Sequence, residues 1–214
     1  MRGLLLKDFY VTWRVYKFLL LIPIMYSVLT RFGVQNTGMV AYIGLFVSMV
    51  PMSIYALEER DKWSAYVLSL PYKRTAVVSS KYVFTLILSA LFTVLIAAVS
   101  AVMYVLGGDV DVKFLIMSMS LVASSSLLPM ALSMPFMCAF GAEKGRIAWV
   151  VVTVFVSVSV MASLPWGIIF VEDGIEHVVD LSSPVFACAI FAAGLAIFAL
   201  SWIISVIVYN KKAL

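Results

Sequence analysis

Long apolar segments alternate with short polar connections along the chain. The segments carry charged residues only near their ends, and they cover roughly residues 15–34, 39–57, 81–106, 114–138, 147–170 and 185–209. An uncharged apolar run of about eighteen residues or more is typical of a helix that crosses a membrane. The pattern therefore predicts an all-α integral membrane protein with six transmembrane helices, in a single domain over residues 1–214.

The first fourteen residues or so follow a different pattern. Leu6, Phe9, Tyr10 and Trp13 are spaced i, i+3, i+4, i+7, which places them on one stripe of a helix. This spacing predicts an amphipathic helix in the cytoplasmic interface, with the rings of Phe9, Tyr10 and Trp13 anchored among lipid headgroups. The alternative is a plain cytoplasmic extension of the first span.

Composition supports the membrane prediction and adds an orientation. The chain is 64% hydrophobic and 12% charged, whereas a soluble domain is about half apolar and about a quarter charged. With six spans, four segments lie on the same side of the membrane: the N-terminus, residues 58–81, residues 139–146 and the C-terminal tail. These segments contain all Lys and Arg residues except Arg31 and Lys113. Because basic loops stay in the cytoplasm, both termini are predicted to be cytoplasmic. The net charge of +4 thus reflects topology and does not indicate nucleic-acid binding.

The residues offer little catalytic chemistry. No G-x-x-x-x-G-K-[ST] phosphate loop is present. His177 is the one histidine, and Cys138 and Cys188 read as apolar packing residues, so no metal site is expected. The predicted spans contain no Asp, Glu or His near their middles, where ion-coupled transporters need them. If the chain moves a solute, the energy must come from another protein.

The charged segment after the second span contains "KWSAYVLSL", in which Trp63, Tyr66, Val67 and Leu70 are spaced i, i+3, i+4, i+7. This predicts a short amphipathic helix across the cytoplasmic end of two spans, ended by Pro71. The alternative is a helix that only lies on the membrane surface, with Trp63 in the interface.

The same segment carries a family resemblance. The run E-E-(x)3-W-(x)2-Y-(x)2-S-L-P-(x)2-R-(x)3-V-(x)-S-K-Y, residues 58–82, resembles the loop between spans two and three of type-two ABC exporter permeases. The likeness is greatest to the short permeases of bacterial exporters of phenol-soluble modulins and other antimicrobial or amphipathic peptides. The resemblance implies a subunit of the bacterial cytoplasmic membrane without catalytic activity. Its partners would be a second permease chain, identical or paralogous, and separate ABC ATPases that bind ATP and Mg²⁺.

In that family the loop carries a coupling helix that docks on the ATPase. The resemblance implies that Trp63 and Tyr66 are anchors, with charges nearby that set the register: Glu58, Glu59, Arg60, Asp61 and Lys62. A second contact could be formed by Glu143, Lys144 and Arg146, although "GAEKGR" could equally be a polar turn. Arg74 and Lys81 could instead bind anionic headgroups.

Two further segments are candidates for a substrate pathway. The fourth span contains three serines and two prolines that could form a kinked, hydroxyl-lined helix: Ser124, Ser125, Ser126, Pro129 and Pro135. An ordinary packing kink is the alternative. The proline-bounded segment 164–184 could form a re-entrant roof outside the cell, or an ordinary loop.

The sequence leaves the function open between classes. A transport subunit is favoured by the coupling-loop resemblance. A self-protection protein that binds an antimicrobial peptide without moving it, or a channel-like pore, would have no need of such a loop. The substrate itself cannot be predicted from these residues.

Overall fold

The protein is described by a computed structural model over residues 2–22, 25, 37–68, 74–105, 112–163 and 184–212. These residues form helices, with no strand among them. In chain order the elements are α1 (Arg2–Tyr16), a short 3-10 helix (Lys17–Leu20), α2 (Thr37–Arg60), α3 (Trp63–Leu68), α4 (Arg74–Val105), α5 (Val112–Phe140), α6 (Ala142–Ser163) and α7 (Pro184–Lys212).

Within the described residues, the predicted all-α architecture is confirmed. Three stretches in the described residues are long and apolar enough to cross a membrane: Thr75–Val99 in α4, Ser118–Phe140 in α5 and Cys188–Lys211 in α7. They coincide with the predicted third, fourth and sixth spans. Most of the predicted first span and of segment 164–184 lies outside the described residues, so the count of six spans stays a prediction.

Helix α5 lies at the centre of the bundle. It contacts α2, α4, α6 and α7, and 72% of its apolar stretch is buried, against 39% in α4 and 22% in α7. Met130, Met134 and Met137 of α5 are fully buried in the main core cluster. These methionines therefore pack in the interior of the bundle.

Close approach of helices requires small residues at the contacts. A Cβ atom on Gly44 of α2 would lie 2.5 Å from the carbonyl oxygen of Val122 and would overlap the Ser125 hydroxyl of α5. Glycine and serine allow this spacing because they present almost no side-chain bulk, as is common between membrane helices. The α2–α5 contact thus depends on Gly44.

Hydrogen bonds between side chains also join the helices. The Tyr82 hydroxyl of α4 lies 2.7 Å from the hydroxyls of both Ser201 and Ser205 of α7. The Ser89 hydroxyl lies 2.7 Å from that of Ser126. Such bonds contribute modestly, about 0.6 kcal/mol on average in one measured membrane protein. They fix which faces of α4, α5 and α7 meet.

The connection between α5 and α6 is shorter than predicted. Gly141 is the one non-helical residue between them, with φ of +92°, and its N–H donates to the carbonyl of Met137 at 3.0 Å. Glycine takes this left-handed conformation without a Cβ penalty, so it ends α5 sharply. The predicted loop 139–146 is therefore wrong in extent, and its charged residues lie in the first turns of α6.

The Gly44 contact can be tested with an alanine substitution. Gly44→Ala should lower the free energy of unfolding by about 1–3 kcal/mol, because the new methyl group meets a backbone carbonyl that cannot move alone. Thermal unfolding of the detergent-solubilised protein measures the effect. Gly194→Ala in α7 is the matched control: its Cβ would meet Leu128 at an ordinary 3.9 Å, so stability should be unchanged or slightly raised. Equal effects of the two substitutions would contradict the close approach.

Candidate functional site

A two-residue turn joins α2 to the short helix α3. The Asp61 N–H donates to the carbonyl of Leu57 at 2.9 Å, and the Lys62 N–H donates to that of Glu59 at 3.1 Å. Lys62 has φ of +53°, a left-handed conformation that costs a non-glycine residue about 1–2 kcal/mol. The turn ends α2 and directs the chain into α3, a six-residue helix within the predicted segment. Leu70 and Pro71, which completed that prediction, lie outside the described residues.

The predicted apolar face of α3 is divided between two environments. Val67 is buried, Trp63 is partly buried, and Tyr66 is 55% exposed. The Trp63 ring lies 5.1 Å from the Tyr66 ring and 4.4 Å from the Lys7 Nζ of α1, centroid to atom. Trp63 therefore packs against this chain's own N-terminal helix, and Tyr66 faces outward.

Beneath α3, four charged side chains form what we call the ion cluster: Lys7, Asp8, Glu58 and Lys81. The Lys81 Nζ lies 2.9 Å from both carboxylate oxygens of Asp8 and 2.5 Å from Glu58 Oε1. Lys7 donates to the same Glu58 oxygen and lies 3.3 Å from Asp8 Oδ1. Asp8 is fully buried and Lys81 nearly so. The cluster balances two positive and two negative charges and joins α1, the end of α2 and the start of α4.

Lys81 corrects one expectation. As a headgroup ligand it would lie at the surface, yet its side chain is about 5% exposed. The reason is that α4 begins at Arg74, about two turns before the predicted span, so Lys81 is well inside the helix where α1 covers it. One feature of the sequence could have indicated this burial. Asp8 lies off the apolar stripe of α1, on a face where a buried basic residue could pair with it.

Glu59 joins the two cytoplasmic segments that were predicted separately. Its carboxylate accepts a hydrogen bond from the Ala142 N–H, at the first turn of α6. A carboxylate at this position satisfies a free N–H and interacts favourably with the helix dipole. The turn after α2 and the start of α6 are therefore neighbours. Sequence reasoning missed this cap because Glu59 is remote from α6 in the chain.

The charged residues of both segments differ in exposure. Glu58 is partly buried, whereas Glu59 is exposed although its carboxylate is bound within the chain. The remaining charged residues of the two segments are also exposed: Arg60, Asp61, Lys62, Glu143, Lys144 and Arg146.

Helix α1 has the two faces that its sequence predicts. Phe9, Tyr10 and Trp13 are 51%, 67% and 56% exposed, and the rings of Phe9 and Trp13 stack at 6.4 Å. Leu4 and Asp8 are buried on the opposite face. The exposed aromatic stripe is available for the membrane interface, and its seating there remains a prediction.

The pathway candidates lie at helix contacts in this structure. Ser124, Ser125 and Ser126 are buried; Ser125 lies against α2 and Ser126 bonds to α4. Pro129 is buried and Pro135 partly buried within α5. A role for these five residues in a pathway stays a prediction.

The consequence of Pro135 is visible in the bundle. A proline leaves the carbonyl four residues earlier without its helical partner, here that of Ala131. The Ser201 hydroxyl of α7 donates to this carbonyl, and Ser201 also contacts Tyr82. The freed carbonyl is thus satisfied by a serine of another helix.

Comparison with known families decides the broad identity. Residues 3–210 match the family model described as ABC-2 family transporter protein. The chain belongs to this family. Neither the curated proteins nor the solved structures give a match.

Membership defines the general role. An ABC-2 family transporter of this kind is the membrane permease of an ABC transporter, a transport subunit that is not itself catalytic and that works with an ABC ATPase.

In this ABC-2 permease, removing the Glu59 cap should weaken the start of α6. Glu59→Ala should cost about 0.5–2 kcal/mol, because the Ala142 N–H loses its partner. Thermal unfolding combined with hydrogen exchange of amides 142–146 measures it. Glu143→Ala, which removes an exposed acid from the same turn, is the control and should cost less. Equal loss in both variants would show that only helix-dipole charge matters there.

Ser201→Ala should destabilise the ABC-2 permease by about 1–3 kcal/mol, since it leaves the Ala131 carbonyl and one Tyr82 contact without a partner. Ser53→Ala is the control, because Ser53 is outside the buried core and bonds only the Met49 carbonyl of its own helix in the contacts described. Unfolding midpoints in detergent compare the two. If they fall by the same amount, Ser201 does not satisfy the freed carbonyl.

Proposed function

We propose that this ABC-2 permease is the membrane subunit of an ABC exporter that moves an amphipathic or hydrophobic substrate, such as a peptide, out of a bacterial cell. Two permease chains, identical or paralogous, would assemble in the cytoplasmic membrane with two separate ABC ATPases. Each chain would have six spans and cytoplasmic termini. ATP and Mg²⁺ would bind on the ATPases. The peptide-exporter subtype rests on the resemblance of residues 58–82.

One observation carries the proposal. The turn after α2 continues into helix α3 and is joined to the start of α6 by the Glu59 cap, so these three segments lie at the same end of the bundle. We call their exposed residues the docking surface: Glu59, Arg60, Asp61, Lys62, Tyr66, Glu143, Lys144 and Arg146. An exposed aromatic ring within a rim of mixed charge suits recognition of a protein partner.

The contacts suggest how force would pass inward. A push on α3 reaches α2 through the Asp61–Lys62 turn and reaches α6 through Glu59. Both α2 and α6 pack directly on the central helix α5. Movement of the ATPases could therefore tilt the helices that surround the predicted pathway residues. Lipid contacts of α1 would keep the N-terminal end of the bundle at the membrane surface.

Charge reversal at the docking surface tests the proposal. Arg60→Glu combined with Lys62→Glu should weaken association with the ABC ATPase of the same transporter about tenfold or more, because rim charges set recognition. Affinity is measured by titrating the purified ATPase onto permease in nanodiscs, together with stimulated ATP turnover.

Lys211→Glu is the control, since Lys211 is an exposed basic residue at the far end of α7. It should leave association and turnover unchanged. If the double variant also binds and stimulates normally, the docking surface is wrongly assigned. A permease that binds peptide but never its ATPase would instead favour the self-protection function.

A further inference from the structure

The ion cluster is buried more deeply than a purely stabilising role requires. Asp8 and Lys81 are withdrawn from solvent, and removing charges from water costs about as much as their pairing returns. Apolar side chains of similar volume would hold α1, α2 and α4 together as well. What charges add is a defined geometry, because each oxygen and nitrogen must meet a particular partner.

Lys7 connects this cluster to helix α3. Its Nζ contacts Glu58 and Asp8 on one side and lies 4.4 Å from the centre of the Trp63 ring on the other. An ammonium over an indole face is attracted by the ring, and more strongly when it is shielded from water. Lys7 is 25% exposed, so it lies between the buried pair and the surface. Among the contacts described, it is the α1 residue that reaches α3.

The exposed aromatic stripe of α1 lies on the face opposite Asp8. One helix of about four turns thus carries rings suited to the membrane on one side and the buried Asp8 on the other, with Lys7 between the two faces. A displacement of α1 cannot leave the ion cluster unchanged, because Asp8 is held at both oxygens. It must also move Lys7, the neighbouring residue.

From these contacts we infer that Lys7 is a positioning residue for Trp63, held in place by Glu58 and the buried Asp8–Lys81 pair. Through Lys7, the seating of α1 on the membrane sets the orientation of α3. The inference deepens the proposed function and rests on it where it concerns the ATPase. The orientation of α3 in the isolated permease does not depend on that function and can be measured separately.

Hydrogen exchange of the permease alone in nanodiscs tests the positioning role. Lys7→Met keeps the apolar stem but removes the charge, and it should speed amide exchange in residues 63–68 about threefold or more, while the α5 amides stay protected. Lys7→Arg is the matched control, because a guanidinium also stacks on indole and pairs with carboxylates; it should retain protection. Unchanged exchange in Lys7→Met, or an equal rise across all helices, would overturn the inference.

A double-mutant cycle then links Lys7 to docking. In the native background, Lys7→Met should weaken ATPase association about threefold or more. In a Trp63→Ala background it should have no further effect, since the ring through which it acts is missing. Additive losses would overturn the positioning role. Absence of any ATPase binding by the native chain would count against the proposed function, while the exchange experiment would still decide the inference.

The supporting pair can be tested by charge balance. Lys81→Met leaves buried Asp8 with insufficient compensation and should lower the unfolding midpoint by about 10 °C. Adding Asp8→Asn restores neutrality, because Lys7 and Glu58 still balance each other, and should recover at least about half of that loss. A double variant that is less stable than the single one would show that the residues do not act as a balanced cluster.

Discussion

A helix in hydrocarbon has no water with which to complete its hydrogen bonds, so its polar groups must find partners within the protein. The contacts of this permease follow from that constraint. The Ala131 carbonyl, freed by Pro135, is satisfied by Ser201 of α7. The indole N–H groups of Trp149 and Trp202 donate to serine hydroxyls of neighbouring helices, at 3.2 and 3.0 Å. Lipid tails are as apolar as leucine side chains, so the hydrophobic effect does not drive one helix against another in the membrane. Polar contacts therefore help to decide which helix faces meet.

The same constraint becomes more demanding for charges at the end of the bundle. Lys81 and Asp8 are buried there, and each is neutralised by the other and by Glu58 or Lys7. Glu59 has a different partner, the N-terminus of α6. Two adjacent acids of one charged segment therefore bind inward, toward different helices. The residues that follow them in the turn are left to form an outer surface.

Some helices could be predicted from the sequence, whereas the exact helix ends could not, and both outcomes have physical reasons. Helix periodicity identified α1 and the segment that contains α3, because an amphipathic stripe is encoded locally. Long apolar runs located α4, α5 and α7 for the same reason. Helix ends were less accurate: α4 begins at Arg74 rather than Lys81, since polar residues continue a helix beyond the hydrocarbon.

Contacts between distant residues could not be deduced. The adjacent Glu58 and Glu59 in "EER" suggested that both belong to one charged rim. Each instead binds a partner elsewhere in this chain, up to 83 positions away. The partner that each acid finds depends on how α1 and α6 pack against α2, and no local pattern encodes that packing. The family match covers nearly the whole chain and fixes the broad role, while these side-chain contacts come from the three-dimensional arrangement.

The turn at Gly141 also limits how the bundle can rearrange. One residue offers no spare chain length, so α5 and α6 cannot slide past each other by even a single helical turn, about 5.4 Å, unless one of them unwinds. They must tilt as a joined pair. The covalent chain itself therefore restricts where the bundle can open during a transport cycle, because the contact between α5 and α6 cannot be the place. This restriction holds before any interaction energy is considered.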